Sequence, residues 1–264
     1  MTRAAAFAEL MQAHRSIRQY KDTPLPPGLI DRVLAQALAG SSSSGNLNMV
    51  SVIKTQDRER KARLCQMHFE QPMVLQAPLL LTFCADSFRT RQWLAQRGAR
   101  LNFGNLISWH VAAFDAIILA QTTALALQSH GLGICYMGTT LHSMRAIADY
   151  LGCPDHCLPV TSMVVGWPDE APAQRDRLPP SAWIHDETYH RPSAADIDRD
   201  FESREVKGWA RYRAMGQHMV DKMAELGITS LAQYYTSDIK YAPQSFERDS
   251  AALAELMRER GFFV

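Results

Sequence analysis

His14-Arg15-Ser16-Ile17-Arg18-Gln19-Tyr20 gathers two guanidiniums, an imidazole and a hydroxyl within one short segment. Arg presents a planar donor fork that matches the oxygens of a phosphate in pairs, so the cluster suits an oxyanion. An apolar helical run, Ala4 to Met11, precedes it, and on a continuing helix His14 and Arg18 share one face. No acid lies close before the cluster, and Asp22 is the first that follows. A solvated basic helix end has the same composition, because cations favour helix C-termini.

Two further stretches carry residue types that could do chemistry. Ser41-Ser42-Ser43-Ser44-Gly45-Asn46-Leu47-Asn48 is too polar for a core and makes a loop rich in donors and acceptors, either a ligand wall or a flexible linker. Cys153-Pro154-Asp155-His156-Cys157 offers Cys153, His156 and Cys157 as metal ligands, but it lacks a second ligand pair and Cys-x-x-Cys spacing. It reads as a turn, and no metal is expected. No nucleophile or general base stands out; Asp115, Cys135 and His110 read as structural.

The elements that must position these residues are legible from periodicity. Ala4–Ala13 predicts a short helix, and Lys21 to Pro27 a turn, with Pro27 set to open the next helix. Apolar residues at helical spacing predict a helix from Gly28 to Ala39, capped by Gly40. Met49–Lys54 predicts a strand and Arg58–Met67 a charged surface helix. Leu79 to Asp86 is the near-continuous apolar run of a buried strand. Asn105–His130 is the longest helical pattern and is apolar almost all round, so it should be buried on all sides, within one subunit or against a second. Its Asp115, Gln121 and Gln128 argue against a membrane span. Met144–Leu151 predicts a helix, Leu158 to Pro168 a strand closing in Gly-Trp-Pro, Ala194–Leu226 polar helices, and Phe246–Arg260 a last helix.

Composition bounds the reading. The chain has 264 residues, 47% of them hydrophobic, enough for one large domain with a substantial core. Twenty-eight basic against 27 acidic residues give a net charge of +1, no electrostatic case for nucleic acid or a membrane surface. Five irregularly spaced cysteines and an N-terminal stretch broken by polar residues suggest reduced thiols in a cytoplasm.

Five ordered segments resemble one family. His14-Arg15-Ser16-x-Arg18 resembles the N-terminal signature of the FMN-dependent nitroreductases, closest to the larger oxygen-insensitive NAD(P)H nitroreductase and flavin reductase subgroup. Ser43-x-Gly45-Asn46 within the serine run is similar to the family's flavin-lining loop. Gln71-Pro72-Met73-Val74-Leu75-Gln76-Ala77-Pro78 resembles Q-x-x-V-x-x-A-P. Gly131-Leu132-Gly133-Ile134-Cys135-Tyr136-Met137-Gly138 resembles G-L-G-x-x-[WY]-[IM]-G. Gly166-Trp167-Pro168, followed by Arg175-Asp176-Arg177-Leu178-Pro179, resembles the closing strand and a subgroup [KR]-x-R-L-P loop.

The resemblance implies an α+β fold, a mixed and largely antiparallel sheet flanked by helices, built as an intertwined homodimer. It implies a single FMN-binding domain over residues 1–264, with 186–264 a helical extension wrapping the partner subunit. By position it implies that His14, Arg15, Ser16, Arg175 and Arg177 hold the FMN phosphate and that Arg18 reaches the pyrimidine edge. Ser42, Ser43, Asn46 and Gln71 would line the ring, as would Tyr136, Met137, Gly138 and Thr139. No side chain would be catalytic in its own right. The expected activity is ping-pong transfer of hydride from NADPH or NADH to small-molecule acceptors: nitroaromatics, quinones or flavins. A non-catalytic flavin carrier or redox sensor, a dehalogenase-type relative, and a plain helical dimerisation module remain as alternatives.

Overall fold

The computed structural model describes residues 2–263. Four strands form one sheet among them: β1 (Val50–Thr55), β2 (Leu79–Asp86), β3 (Gly133–Met137) and β4 (Cys157–Gly166), in the order β1-β2-β4-β3. Every pairing is antiparallel, with Val50 opposite Ala85, Leu80 opposite Val164 and Cys135 opposite Val164. β2 is buried along its whole length, as a run without Gly, Pro or charge until Asp86 demands. The fold is therefore α+β, with a sheet flanked by helices.

Seven helices accompany the sheet: α1 (Arg3–Gln12), α2 (Leu29–Ala39), α3 (Arg58–Met67), α4 (Met73–Gln76), α5 (Phe88–Gln96), α6 (Leu106–Ser129) and α7 (Met144–Leu151). α6 is the central one. Asn105 caps it through a reciprocal box with Ser108. Ala112, Ala116, Ala120 and Ala124 recur every fourth residue and are all buried. Such small side chains let a helix lie close on a sheet, and Leu119 and Leu127 fill the space against Leu81, Phe83 and Val165.

α6 is the one described helix long and apolar enough to cross a bilayer, but it packs on the sheet and carries a buried carboxylate, Asp115. The expectation of burial on all sides does not hold within one chain. Ile107 is 74% exposed and Phe114 60%, with Ile117 and Ile118 also bare. The sheet, α2 and α1 pack against α6, and among the described residues nothing covers the opposite apolar face.

Two local readings need correction. Pro27 does not open α2; Gly28 intervenes as N-cap at φ 71°, a left-handed conformation that favours glycine. More consequentially, His14–Tyr20 is not helical. α1 ends at Gln12, and the chain then runs extended along the outer edge of β3. Ser16 forms a parallel bridge with Ile134, Ile17 N–H donates to Ile134 C=O at 2.9 Å, and Tyr20 bridges Pro168. Edge pairing with β3 satisfies backbone groups that a continued helix would leave the strand without.

Two glycines permit that pairing. A Cβ at Gly133 would lie 2.7 Å from Ile17 Cγ1, and one at Gly166 would lie 2.6 Å from Pro78 and 2.8 Å from Tyr20. The glycines of the G-L-G and Gly-Trp-Pro motifs thus admit the side chains of the cationic segment.

The described chain divides into two compact units, one running to Ala173 and resuming at Ala251, the other Gln174–Ser250. The second is helical: α8 (Ala194–Arg213), α9 (Gln217–Glu225), α10 (Leu231–Tyr235) and the first turns of α11 (Pro243–Glu259). Met223, Ile228, Leu231 and Tyr234 form its core, and Gly208 leaves room for Leu231.

Candidate cofactor site

The extended segment His14–Tyr20 carries its cations beside the start of β3. Ser16 hydrogen-bonds the thiol of Cys135, whose pKa burial pushes up. His14 Nδ1 pairs with the Gln128 amide of α6 at 2.8 Å. Tyr20 is buried and its hydroxyl donates to Ile17 C=O at 2.6 Å, which ties the end of the segment back on itself. Glu170 accepts from the backbone N–H groups of Arg18 and, at 3.1 Å, Gln19. That carboxylate anchors the backbone and makes no ion pair with Arg18. The guanidiniums of Arg15 and Arg18 touch only the carbonyls of Ala13 and Ser16, so neither has a carboxylate partner among the described residues.

The serine loop is a wound structure rather than a linker. Ser44–Asn46 forms a single 3-10 turn, and Gly45, Asn46 and Asn48 all have positive φ, which Gly and Asn tolerate. Asp115, buried on α6, holds it. Its carboxylate accepts from Ser43 Oγ at 2.6 Å and from Met49 N–H at 2.9 Å. Ser43 Oγ in turn accepts from Asn48 N–H at 2.8 Å. Ser43 therefore shapes the loop from inside, while Ser42 and Asn46 stand exposed on its surface.

At the far end of β3, Tyr136 is half-buried and donates to Gln121 of α6 at 3.3 Å, and burial raises its pKa. Met137 is buried. Gly138–Thr140 makes a 3-10 turn, and a Cβ placed on Gly138 would meet nothing within 4 Å, so the space before it is open. Thr139 Oγ1 bonds Nδ1 of the fully buried His68 at 2.8 Å. Gln71 is half-buried at the start of α4. Arg175 and Arg177 belong to the second unit, where Arg177 donates to the Arg175 carbonyl at 3.1 Å and Asp176 receives Arg204 and Arg211.

His68 gives a direct pH test. Desolvation lowers its pKa from 6.5 to about 4. Between those values the unfolded chain binds more protons than the folded one, so stability falls as pH drops through that window. The expected loss is about 3 kcal/mol. Urea unfolding at pH 7 and again near the folded pKa should show it, and His68→Gln, which cannot protonate, should flatten the difference. An unchanged difference in that variant would remove His68 from the account.

The Nitroreductase family matches the chain over residues 11–167. The chain belongs to the nitroreductase family. Among its relatives, an FMN reductase (NADPH) of Bacillus subtilis strain 168 is 34% identical over 184 residues, covering 69% of this chain and 74% of the relative. An oxygen-insensitive NADPH nitroreductase of Salmonella typhimurium is 32% identical over 69% of this chain and 73% of its own. The structure of the NfrA1 nitroreductase from B. subtilis superposes with a TM-score of 0.82 at 27% identity, covering 97% of this chain and 98% of that one.

Within this nitroreductase, α6 organises the site. Asp115 holds the serine loop, Gln121 meets Tyr136, and Gln128 meets His14. Their places on one helix are visible in the sequence, yet what each touches is a tertiary fact. His68 and Glu170 carry no local signal at all.

Proposed function

We propose that this nitroreductase is an FMN-dependent oxidoreductase that takes two electrons from NADPH or NADH and delivers them to nitroaromatic, quinone or flavin acceptors in a ping-pong sequence. When bound, FMN supplies the two-electron chemistry. The residues present fit that group. Two guanidiniums without carboxylate partners among the described residues are the observation that carries the reading, because a phosphate and a reducible ring both bring negative charge. The open space before Gly138 and the exposed Ser42 and Asn46 support it.

In this reading His14, Arg15 and Ser16 bind the phosphate, and Arg18 faces the part of the ring where negative charge collects. Ser42, Asn46, Gln71 and Tyr136 line the ring, with Met137, Gly138 and Thr139 at the strand end. Ser43 contributes by holding the loop in shape. Arg175 and Arg177 are assigned to the phosphate on the resemblance of their motif alone. Relatives named as NADPH-dependent FMN reductase and nitroreductase support the reaction class. Steady-state rates with varied NADPH and acceptor should give parallel reciprocal plots; intersecting plots would rule out the ping-pong order.

The bare face of α6 is proposed to be covered by a second copy, making a homodimer whose helical segment 186–264 embraces its partner. Phe114→Asp with Ile117→Asp should then turn a dimer into a monomer in sedimentation and release the flavin. A wild-type monomer that retains flavin would defeat the dimer. Five free cysteines suit a reducing cytoplasm.

A further inference from the structure

Cys84, Cys153 and Cys157 come together in the interior from three separate places: the middle of β2, the turn after α7 and the first residue of β4. Their sulfur atoms all lie within 4.8 Å of one another, and the residues are 0%, 6% and 4% exposed. His156, which the sequence offers as a ligand with Cys153 and Cys157, is not part of the group. Its ring packs edge-on against Phe262 at 5.7 Å and against Gly261. Strand pairing supplies Cys84 instead, because Asp86 stands opposite Cys157 and Cys84 lies diagonally from it.

We propose that these thiols form a closed site for a trivalent, thiophilic ion of the arsenite type. The ligand set is all sulfur, which excludes hard cations that require oxygen. It has three members among the described residues, whereas structural zinc takes four. The surrounding wall is apolar, built from Met144, Leu158, Leu256, Met257 and Phe262.

Charge decides between the remaining soft ions. Three thiolates around copper(I) leave two negative charges, and around zinc one, each costly in an apolar interior. Around arsenic(III) they leave none. Arg260 donates to Cys153 C=O at 3.0 Å but shares its charge with Asp149 and Asp155, so it offsets a buried anion only in part. The step balances without any oxidant or reductant: As(OH)3 plus three thiols gives one As(S-Cys)3 and three waters. Each thiol proton leaves on an arsenic hydroxyl, and arsenic stays trivalent.

The test uses the reduced, full-length protein as purified, with arsenite as the probe and copper(I) and zinc in parallel. The expected result is one arsenic per chain, three thiols protected from alkylation, and an X-ray absorption spectrum with three sulfur neighbours and no oxygen. Cys84→Ser should lose the arsenic, whereas Cys65→Ala, at a buried thiol outside the cluster, should keep it. Two sulfur neighbours, no uptake, or displacement of arsenic by equimolar zinc or copper(I) would overturn the proposal. The absorption spectrum and thiol count are read on the wild-type protein, so a misfolded variant leaves the test intact. None of these readouts depends on bound flavin.

Discussion

Asp115→Ala protein is expected to be purified without flavin and to unfold about 3 kcal/mol more easily than wild type. The carboxylate is buried and accepts from Ser43 Oγ and Met49 N–H, and Ser43 Oγ accepts from Asn48 N–H. Removing it strands a buried backbone donor at Met49 and frees the hydroxyl that holds three left-handed residues in place. The loop then loses the shape that presents Ser42 and Asn46. Asp115→Asn should fall between, since an amide oxygen in place of Oδ2 still accepts from both Ser43 Oγ and Met49 N–H, while the charge is lost and the amide nitrogen faces the Ser44 N–H. Urea unfolding gives the stability change, and flavin fluorescence in the filtrate gives retention. An Asp115→Ala protein that keeps wild-type flavin would show that the loop does not contribute to binding.

Arg18→Ala should have the opposite profile, with stability nearly unchanged and function lost. Its side chain is exposed, bonds only the Ser16 carbonyl at 3.4 Å, and holds no ion pair. The expected stability change is within about 0.5 kcal/mol. A fixed cation facing the charge that collects on the ring is worth much more in the transition state. Losing it should slow reduction by NADPH about a hundredfold and lower the potential of bound flavin. Arg18→Lys should restore part of the rate, because the point charge returns without the planar fork. Stopped-flow reduction and a potentiometric titration separate this from weakened binding. Normal turnover in the alanine variant would sink the role given to Arg18.

The contrast between these residues shows what a sequence discloses. β2, α3 and α7 stand at the limits that periodicity predicts, since a continuous apolar run or a 3.6-residue stripe is a local signal. The cationic segment was legible as a cluster but not as a shape. His14 and Arg18 fit a helix face equally well, and only pairing with Ile134 makes the segment extended. The spatial neighbours of the motif glycines were likewise not legible. Gly133 and Gly166 make space for Ile17, Tyr20 and Pro78 rather than for a ligand, while Gly138 alone borders open space.

The structural partners of the site were the least legible. Asp115 looked like an ordinary polar residue in an apolar helix, Glu170 like a loop acid, and Cys84 like one more apolar position in a strand. Each acts through a residue more than 60 positions away, as the contacts of Asp115 with Ser43, Glu170 with Arg18 and Cys84 with Cys153 demonstrate. No window along the chain contains both members of any such pair.

The most direct test of the central claim is the visible absorption spectrum of the purified protein, taken before and after anaerobic NADPH and then NADH. The account predicts a yellow protein that bleaches with at least one donor and releases FMN on denaturation. A colourless protein that cannot be reconstituted with FMN would contradict it, and a yellow one that neither donor bleaches would make it a carrier or sensor rather than an enzyme.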